Sequence, residues 1–179
     1  NEFIKAPEDL AYESEKLLAG RTHQSIESAT NIQTNDLPKE GREREALVKQ
    51  RVNQNFFRQR ILSAYDSRCC ITGLAIPKLL VAGHIIPWSQ DNKNRLNPRN
   101  GLCLNMIHDK AFENGLIWID ENFRIHYSKE FKETQKQCSQ AYDWLKSFEG
   151  KALVLPKNFT PSIDYLRIHK QGPWRKTKG

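Results

Sequence analysis

The stretch from Leu79 to Asp120 constrains the fold of this chain more than any other segment. It reads LLVAGHIIPWSQDNKNRLNPRNGLCLNMIHDKAFENGLIWID, in which two short apolar runs flank a polar loop. Short apolar runs between turn signals are typical of buried strands. The segment HDKAFENG follows the second run and ends in Asn-Gly, a common helix stop. The pattern predicts strand, loop, strand and helix, with His84, Asn100 and His108 at the junctions.

The rest of the chain supplies mainly helices. Apolar residues at helical spacing predict helices over residues 7–20, 43–65 and 130–148. The segment LIWIDENFRIHYS predicts a second hairpin around Asp120-Glu121-Asn122, and KALVLP predicts a last strand. Together these elements predict an α+β fold, in which an antiparallel hairpin and a helix form a core that is flanked by additional helices and the second hairpin.

Composition divides the chain into three parts. Residues 1–42 are polar, and residues 21–41, which are rich in Ser, Thr, Asn and Gln, predict a linker. Residues 43–156 predict the folded domain. Residues 157–179 predict a basic C-terminal tail, either a phosphate-contacting arm or merely a solvated end, with the cations Arg167, Lys170, Arg175, Lys176 and Lys178.

Charge and cysteine usage narrow the class of partner and the compartment. The chain has 28 Lys and Arg against 21 Asp and Glu, a net charge of +7. This balance favours a polyanion such as nucleic acid, although a lysine excess is also common on ordinary surfaces. No apolar run reaches the roughly 18 residues of a membrane span, and no signal peptide is visible. Four cysteines without a C-x-x-C pair predict a reducing, cytoplasmic location.

The three junction residues suit the hydrolysis of a phosphodiester. That reaction needs a base to deprotonate water and a cation to neutralise charge on the phosphate. His84 ends a buried strand, His108 begins the helix, and Asn100 lies in the turn before Gly101, where its amide can fix the loop. We expect the two imidazoles to face one another across a metal ion.

Each of these residues also has an ordinary structural explanation. A lone histidine is more often structural than catalytic, and Asn-Gly is usually a plain turn. The pair His108-Asp109 also fits helix capping, since an aspartate is favourable near the N-terminus of a helix. Only the combination, in this order and spacing, favours a catalytic site.

The segments AGHIIPW, NPRNGLCL and HDKAFENGLI resemble the HNH (ββα-metal) nucleases, in particular those of bacterial restriction-type endonucleases. The supporting pattern covers residues 52–128. The resemblance implies a ββα-metal core with His84 as the general base, Asn100 as the loop-fixing asparagine and His108 as the metal ligand. It also implies a divalent metal, for which we expect Mg²⁺, with Mn²⁺ or another transition ion as a substitute.

Two positions depart from the family pattern. Many members have Asp or His directly before the base histidine, and this chain has Gly83 there. Many also have a second histidine one helical turn after the metal ligand on the helix, and this chain has Phe112 there. We therefore expect His108 to be helped by Asp109, Asn100, a backbone carbonyl, water or a DNA phosphate, and we expect weak metal binding without DNA. The cysteines lack the paired spacing of a zinc module, and we expect them in the core.

Basic residues around the site predict contacts with DNA phosphates. The expected DNA-binding residues are Lys93, Arg95, Arg99 and Lys110. Phosphate contacts position a duplex without reading its sequence. No base-reading helix is evident, and Trp88 is expected to pack beneath the loop. The start at Asn1 predicts a piece of a longer protein whose recognition domain lies N-terminal to it. One such site cuts one strand, so double-strand cleavage requires a homodimer or two successive events.

The sequence thus predicts a metal-dependent DNA endonuclease of restriction type. Two alternatives remain open. The first is a non-catalytic nucleic-acid-binding module that retains the ββα frame, and Gly83 and Phe112 favour this alternative. The second is an unrelated structural or interaction domain.

Overall fold

The computed structural model describes residues 7–33, 35, 37–38, 40–91, 93–133 and 139–172. The chain forms two compact units, Asn1–Gln59 and Arg60–Gly179. The helices in the described part are α1 (Pro7–Arg21), α2 (Ile26–Ala29), α3 (Arg42–Ala64), α4 (Met106–Glu113), α5 (Lys129–Glu133), α6 (Ser139–Lys146) and α7 (Ile163–Gln171). The strands there are β1 (Leu80–His84), β2 (Gly101–Asn105), β3 (Ile117–Ile119) and β4 (Ile125–Tyr127).

The first unit has a small core of its own. Tyr12, Leu37, Val48 and Val52 are buried together, and half-buried aliphatic residues pack against them. The stretch predicted as a linker contains α2, whose first turn is capped by the Ser25 hydroxyl, which accepts from the Ser28 N–H. This segment is therefore more ordered than its polar composition predicts.

The second unit contains the predicted hairpin and helix. Strands β1 and β2 pair antiparallel with His84 opposite Gly101 and Leu80 opposite Asn105. Helix α4 follows β2 without a loop and packs against both strands. The Asn105 side chain caps α4 by accepting from the N–H groups of Ile107 and His108. The predicted α+β fold with a ββα core is confirmed.

The elements after this core differ from the prediction in detail. The second hairpin is present, with Ile117 opposite Tyr127. The segment KALVLP makes a single bridge, from Ala152 to Arg124, instead of a strand. The predicted helix over 130–148 corresponds to α5 and α6, and residues 134–138, including Cys138, lie outside the described residues.

The predicted basic tail contains a helix. The Ser162 hydroxyl caps the start of α7, and Gly172 ends it in the left-handed conformation. This helix packs against β3 and buries Leu166 and His169. Its apolar face is the reason that this part of the chain is not merely solvated. The cations Arg175, Lys176 and Lys178 lie outside the described residues.

Two further observations concern cysteines and membranes. Cys69, Cys70 and Cys103 are buried and free of disulfide bonds, as expected of small core residues. Burial and the neighbouring thiols raise the pKa of Cys70, which keeps it protonated. Within the described ranges, no helix combines the length and apolarity needed to cross a membrane.

Candidate active site

A cavity of about 1130 Å³ lies beside the ββα core. Its wall comes from β1 and the loop after it, from the C-terminal part of α4, and from single residues of α5 and α7. Side chains that can carry charge or a proton line it: His84, Asp109, Glu113, Glu130 and His169.

His84 is oriented by the backbone of the loop that follows it. Its Nε2 lies 2.8 Å from the carbonyl oxygen of Arg95. A carbonyl only accepts, so the neutral ring carries its proton on Nε2 and its lone pair on Nδ1. Burial lowers the pKa of His84, and the bond to Arg95 opposes that effect in part. The ring is therefore neutral at physiological pH and able to accept a proton.

Asn100 fixes the loop between the two strands. Its buried side chain accepts from the Ile86 N–H at 2.8 Å and donates to the Ile86 carbonyl at 3.2 Å. It also donates to the Asn94 carbonyl at 3.4 Å. Ile86 lies two residues after His84, so these bonds fasten both the segment that follows the imidazole and the far end of the loop to Asn100.

Trp88 and Arg95 lie against His84. The indole ring of Trp88 meets the imidazole edge to face, with ring centroids 5.5 Å apart. The guanidinium carbon of Arg95 lies 5.1 Å from the centroid of Trp88, and its Nε donates to the Trp88 carbonyl at 3.0 Å. Trp88 lines the cavity instead of lying wholly beneath the loop.

His108, which was predicted to share a site with His84, does not line this cavity. Its ring is fully buried between Trp144 and Phe148, at centroid distances of 5.3 and 5.2 Å. Its Nδ1 bonds to the Asn105 side chain at 3.1 Å. Burial lowers the pKa of His108 to about 4. The imidazole at the capped start of α4 therefore lies in the core.

Asp109, the next residue of α4, faces the cavity instead. Its carboxylate lies against the backbone of Gly83, so that a β-carbon at that position would stand 2.5 Å from Oδ1. Burial, together with the negative charge of Glu113, raises the pKa of Asp109 to about 6. The sequence indicated Asp109 only as a helper of His108, and it did not indicate Glu113.

His169 is a cavity residue that the sequence did not indicate. It is buried on α7, stacks on the Phe112 ring at 3.6 Å, and its Nε2 lies 3.1 Å from the Phe112 carbonyl. The signal for its burial was the apolar face of α7, since Leu166 and His169 are one helical turn apart.

The predicted DNA-binding residues have different surroundings. Lys93 and Arg99 are exposed, and Arg95 is half-buried against Trp88. Lys110 is exposed and forms an ion pair with Glu113 at 2.7 Å. Among the described residues of the loop, Arg95 is thus the predicted cation whose guanidinium lies against Trp88, the neighbour of His84.

Part of the chain is similar to a known family of nucleases. Residues 69–120 match the family model described as HNH endonuclease. No curated protein is significantly similar to the chain. A solved structure, "Modification dependent TagI restriction endonuclease", is 16% identical with a TM-score of 0.46, and the match covers 69% of this chain and 39% of that one. The chain thus spans about two fifths of that protein. Residues 69–120, which contain the ββα frame, are thus similar to the HNH endonucleases.

Proposed function

We propose that the chain is a metal-dependent DNA endonuclease of restriction type, which acts in the cytoplasm and hydrolyses phosphodiester bonds with His84 as the base. The observation that carries this proposal is the bond from His84 Nε2 to the Arg95 carbonyl beside the large cavity. The bond fixes the tautomer in which Nδ1 accepts a proton. Such a ring at the end of a rigid strand suits the deprotonation of a water molecule.

Asn100 supports this role as a positioning residue. Its bonds to both polar groups of Ile86 fasten the segment directly after His84. A base that is held by packing and hydrogen bonds keeps the geometry that proton transfer requires. Asn100 therefore acts through the placement of the imidazole and does not itself touch the reacting atoms.

The residues of the cavity suit a divalent cation. Among the described residues, no group of three or more His, Cys, Asp and Glu side chains is arranged to hold a metal ion. Mg²⁺, however, is commonly held by one or two carboxylates and several waters. Asp109 and Glu113 supply two carboxylates one helical turn apart, and burial, together with the negative charge of Glu113, raises the pKa of Asp109.

We therefore assign the metal-holding role to Asp109 and Glu113 in place of His108. When bound there, Mg²⁺ or Mn²⁺ would neutralise charge on the phosphate and on the leaving oxygen. Lys110 pairs with Glu113 in an exposed salt bridge, and such pairs contribute little to stability. Lys110 can thus leave Glu113 at small cost and turn to a DNA phosphate.

DNA binding rests on the net charge of +7 and on the cations around the loop. Arg95 lies next to the base, while Lys93 and Arg99 are exposed on the loop itself. Contacts from these side chains would position the duplex without reading its sequence. These phosphate contacts therefore do not account for sequence recognition.

The test is nicking of supercoiled plasmid in Mg²⁺ or Mn²⁺, with EDTA as the metal-free control. We expect cutting by the wild-type protein and a loss of at least about 100-fold in His84→Ala, the usual contribution of a general base. His23→Asn is the matched control, because His23 is exposed in the first unit and asparagine tolerates its positive φ of 54°. Nicked circles that appear before linear DNA would indicate two successive events instead of a paired cut.

A second candidate function is a non-catalytic nucleic-acid-binding module. The observation in its favour is the absence of a three-residue metal cluster in the described part of the chain. Its distinguishing result is retained DNA binding by a protein that cuts under no divalent metal.

A further inference from the structure

We infer that Trp88 is a positioning residue that holds the His84 imidazole and the Arg95 guanidinium as one unit at the cavity. This inference rests on the proposed nuclease function. It assigns a role to a residue for which the sequence predicted only packing beneath the loop.

Three contacts close a ring among these residues. Arg95 accepts from His84 through its carbonyl at 2.8 Å, and it donates from Nε to the Trp88 carbonyl at 3.0 Å. The Trp88 ring completes the circuit by meeting the imidazole at 5.5 Å and an angle of 89°. The segment between residues 84 and 95 therefore folds back so that a proton acceptor and a cation share one aromatic neighbour.

The indole contacts both partners through their side chains. Its face attracts the guanidinium, whose carbon lies 5.1 Å from the ring centroid. Its approach to the imidazole at a right angle is a favourable aromatic arrangement. Two further hydrogen bonds of Arg95, at its own carbonyl and at its Nε, restrain its main chain and the base of its guanidinium.

This division makes Trp88 separable from the rest of the loop. Replacing its side chain leaves the Trp88 carbonyl in place, and with it the bond that Arg95 Nε donates to this carbonyl. The bond from His84 Nε2 to the Arg95 carbonyl does not involve Trp88 and is also kept. The imidazole keeps its tautomer, while its tilt and the direction of the guanidinium lose their common support. Loss of the indole is therefore expected to affect phosphate binding and proton transfer together.

Phosphate binding by Arg95 is the consequence that can be measured without catalysis. Each phosphate neutralised by a protein cation contributes about 0.9 to the slope of log K against log salt for duplex DNA. A guanidinium that has lost its support contributes less to this slope. The slope thus reports the position of Arg95 whether or not the protein cuts DNA.

The experiment compares Trp88→Leu and Trp88→Phe with Trp118→Leu. Trp118 is a matched control because it also stacks on a histidine, His126 at 4.2 Å, and lies under a cation, Lys170 at 4.1 Å, but belongs to the other hairpin and does not line the cavity. Plasmid nicking gives kcat and KM in Mg²⁺, and duplex binding in EDTA gives the salt slope.

We expect Trp88→Leu to lower kcat by about tenfold or more, and to reduce the salt slope by about 1, as the loss of one phosphate contact requires. Trp88→Phe, which keeps an aromatic face, is expected to recover most of both quantities. Arg95→Gln combined with Trp88→Leu is expected to give the slope of Arg95→Gln alone, since coupled residues are not additive.

Equal behaviour of Trp88→Leu and Trp118→Leu in both measurements would overturn the inference while leaving the nuclease proposal intact. If the wild-type protein does not nick DNA, the proposed function fails, and the salt slopes still decide whether Trp88 supports Arg95. Should Trp88→Leu not fold by circular dichroism, Trp88→Met replaces it, because methionine keeps the bulk without an aromatic face.

Discussion

The carboxylate of Asp109 fills the space that a side chain at Gly83 would need: a β-carbon there would stand 2.5 Å from Asp109 Oδ1. Gly83 directly precedes His84 on β1, and Asp109 projects from α4 onto that strand. The missing side chain at position 83 therefore makes room for a carboxylate from the helix. We propose that this carboxylate takes the place of the metal ligand that the sequence lacks at position 83.

The variant Gly83→Ala tests this relationship. Its methyl group would displace the Asp109 carboxylate, and we expect about tenfold more Mg²⁺ to be needed for half-maximal nicking. The free energy of unfolding is expected to change by less than about 1 kcal/mol, because alanine suits a strand at least as well as glycine and the displaced atom ends a side chain. Magnesium titrations of nicking and urea denaturation measure the two quantities.

Gly20→Ala is the control, because a β-carbon at Gly20 has no neighbour within 4 Å. It should leave the magnesium dependence unchanged. An unaltered magnesium requirement in Gly83→Ala would mean that Asp109 does not hold the metal.

The positions of His84 and Asn100 at the ends of paired strands could be predicted from the sequence, whereas the burial of His108 could not. Antiparallel pairing places the end of β1 opposite the start of β2, so His84 and Asn100 come together wherever the hairpin is predicted correctly. The helix phase is more sensitive, because each residue turns the side chain by about 100°. The sequence reading began the helix at His108, whereas the Asn105 cap begins it at Met106. That difference brings Asp109 to the cavity.

The placement of His169 also depended on tertiary structure. His169 reaches the cavity only because α7 folds back against β3, and no local pattern specifies that packing. The signal for α7 itself was present, since Ser162 and Gly172 mark its ends. Because the net positive charge of this segment is typical of a solvated tail, composition alone did not predict the helix.

The variant His108→Phe separates a structural histidine from a metal ligand. Phenylalanine keeps an aromatic ring against Trp144 and Phe148, so we expect nicking activity within about threefold of wild type. The cost is the bond from the ring to Asn105, worth about 1 kcal/mol. Loss of nicking by 100-fold or so, in a protein with an unchanged melting temperature, would restore His108 as a ligand.

His108 should also make the protein sensitive to acid. Burial lowers its pKa from 6.5 to about 4, so the unfolded chain takes up a proton at a higher pH than the folded protein does. The stability due to neutral His108 is fully present above pH 6.5 and is lost as the pH falls to about 4. The difference corresponds to about 3 kcal/mol. Urea denaturation across this range should show the loss in wild type and a smaller loss in His108→Phe.

Metal binding should depend on pH through Asp109. Its pKa is raised to about 6, mainly by burial, and a cation binds only the deprotonated carboxylate. At low Mg²⁺, nicking should therefore fall as the pH drops through about 6, and higher Mg²⁺ should move this fall to lower pH. Activity profiles at two magnesium concentrations check this shift. Profiles that coincide at both concentrations would exclude competition between the proton and the metal.

Asn100 should matter for stability as well as for activity. The variant Asn100→Ala leaves the buried N–H and carbonyl of Ile86 without their side-chain partner, and we expect a loss of about 3 kcal/mol in the free energy of unfolding. Asn97→Ala is a suitable comparison, because Asn97 is half-buried and caps a single turn through the Arg99 N–H. Its expected loss is about 1 kcal/mol. Equal losses in urea denaturation would show that Asn100 does not fix the loop.

The exposed cations should contribute to DNA binding in proportion to the phosphates that they meet. Lys93 and Arg99 extend from the loop beside His84, so alanine at either position should lower the salt slope of duplex binding by about 1, with little change between DNA sequences.

Lys110 differs because it pairs with Glu113. Lys110→Ala should lower the slope only when Mg²⁺ occupies the carboxylates and releases the lysine. Ca²⁺, which supports binding but is a poor substitute in hydrolysis by Mg²⁺ enzymes, allows the slope to be measured without cutting. Lys16→Ala, on the first unit, is the control for a loss of charge far from the loop in sequence. An equal effect of Lys110→Ala with and without the cation would contradict the release of Lys110 from Glu113.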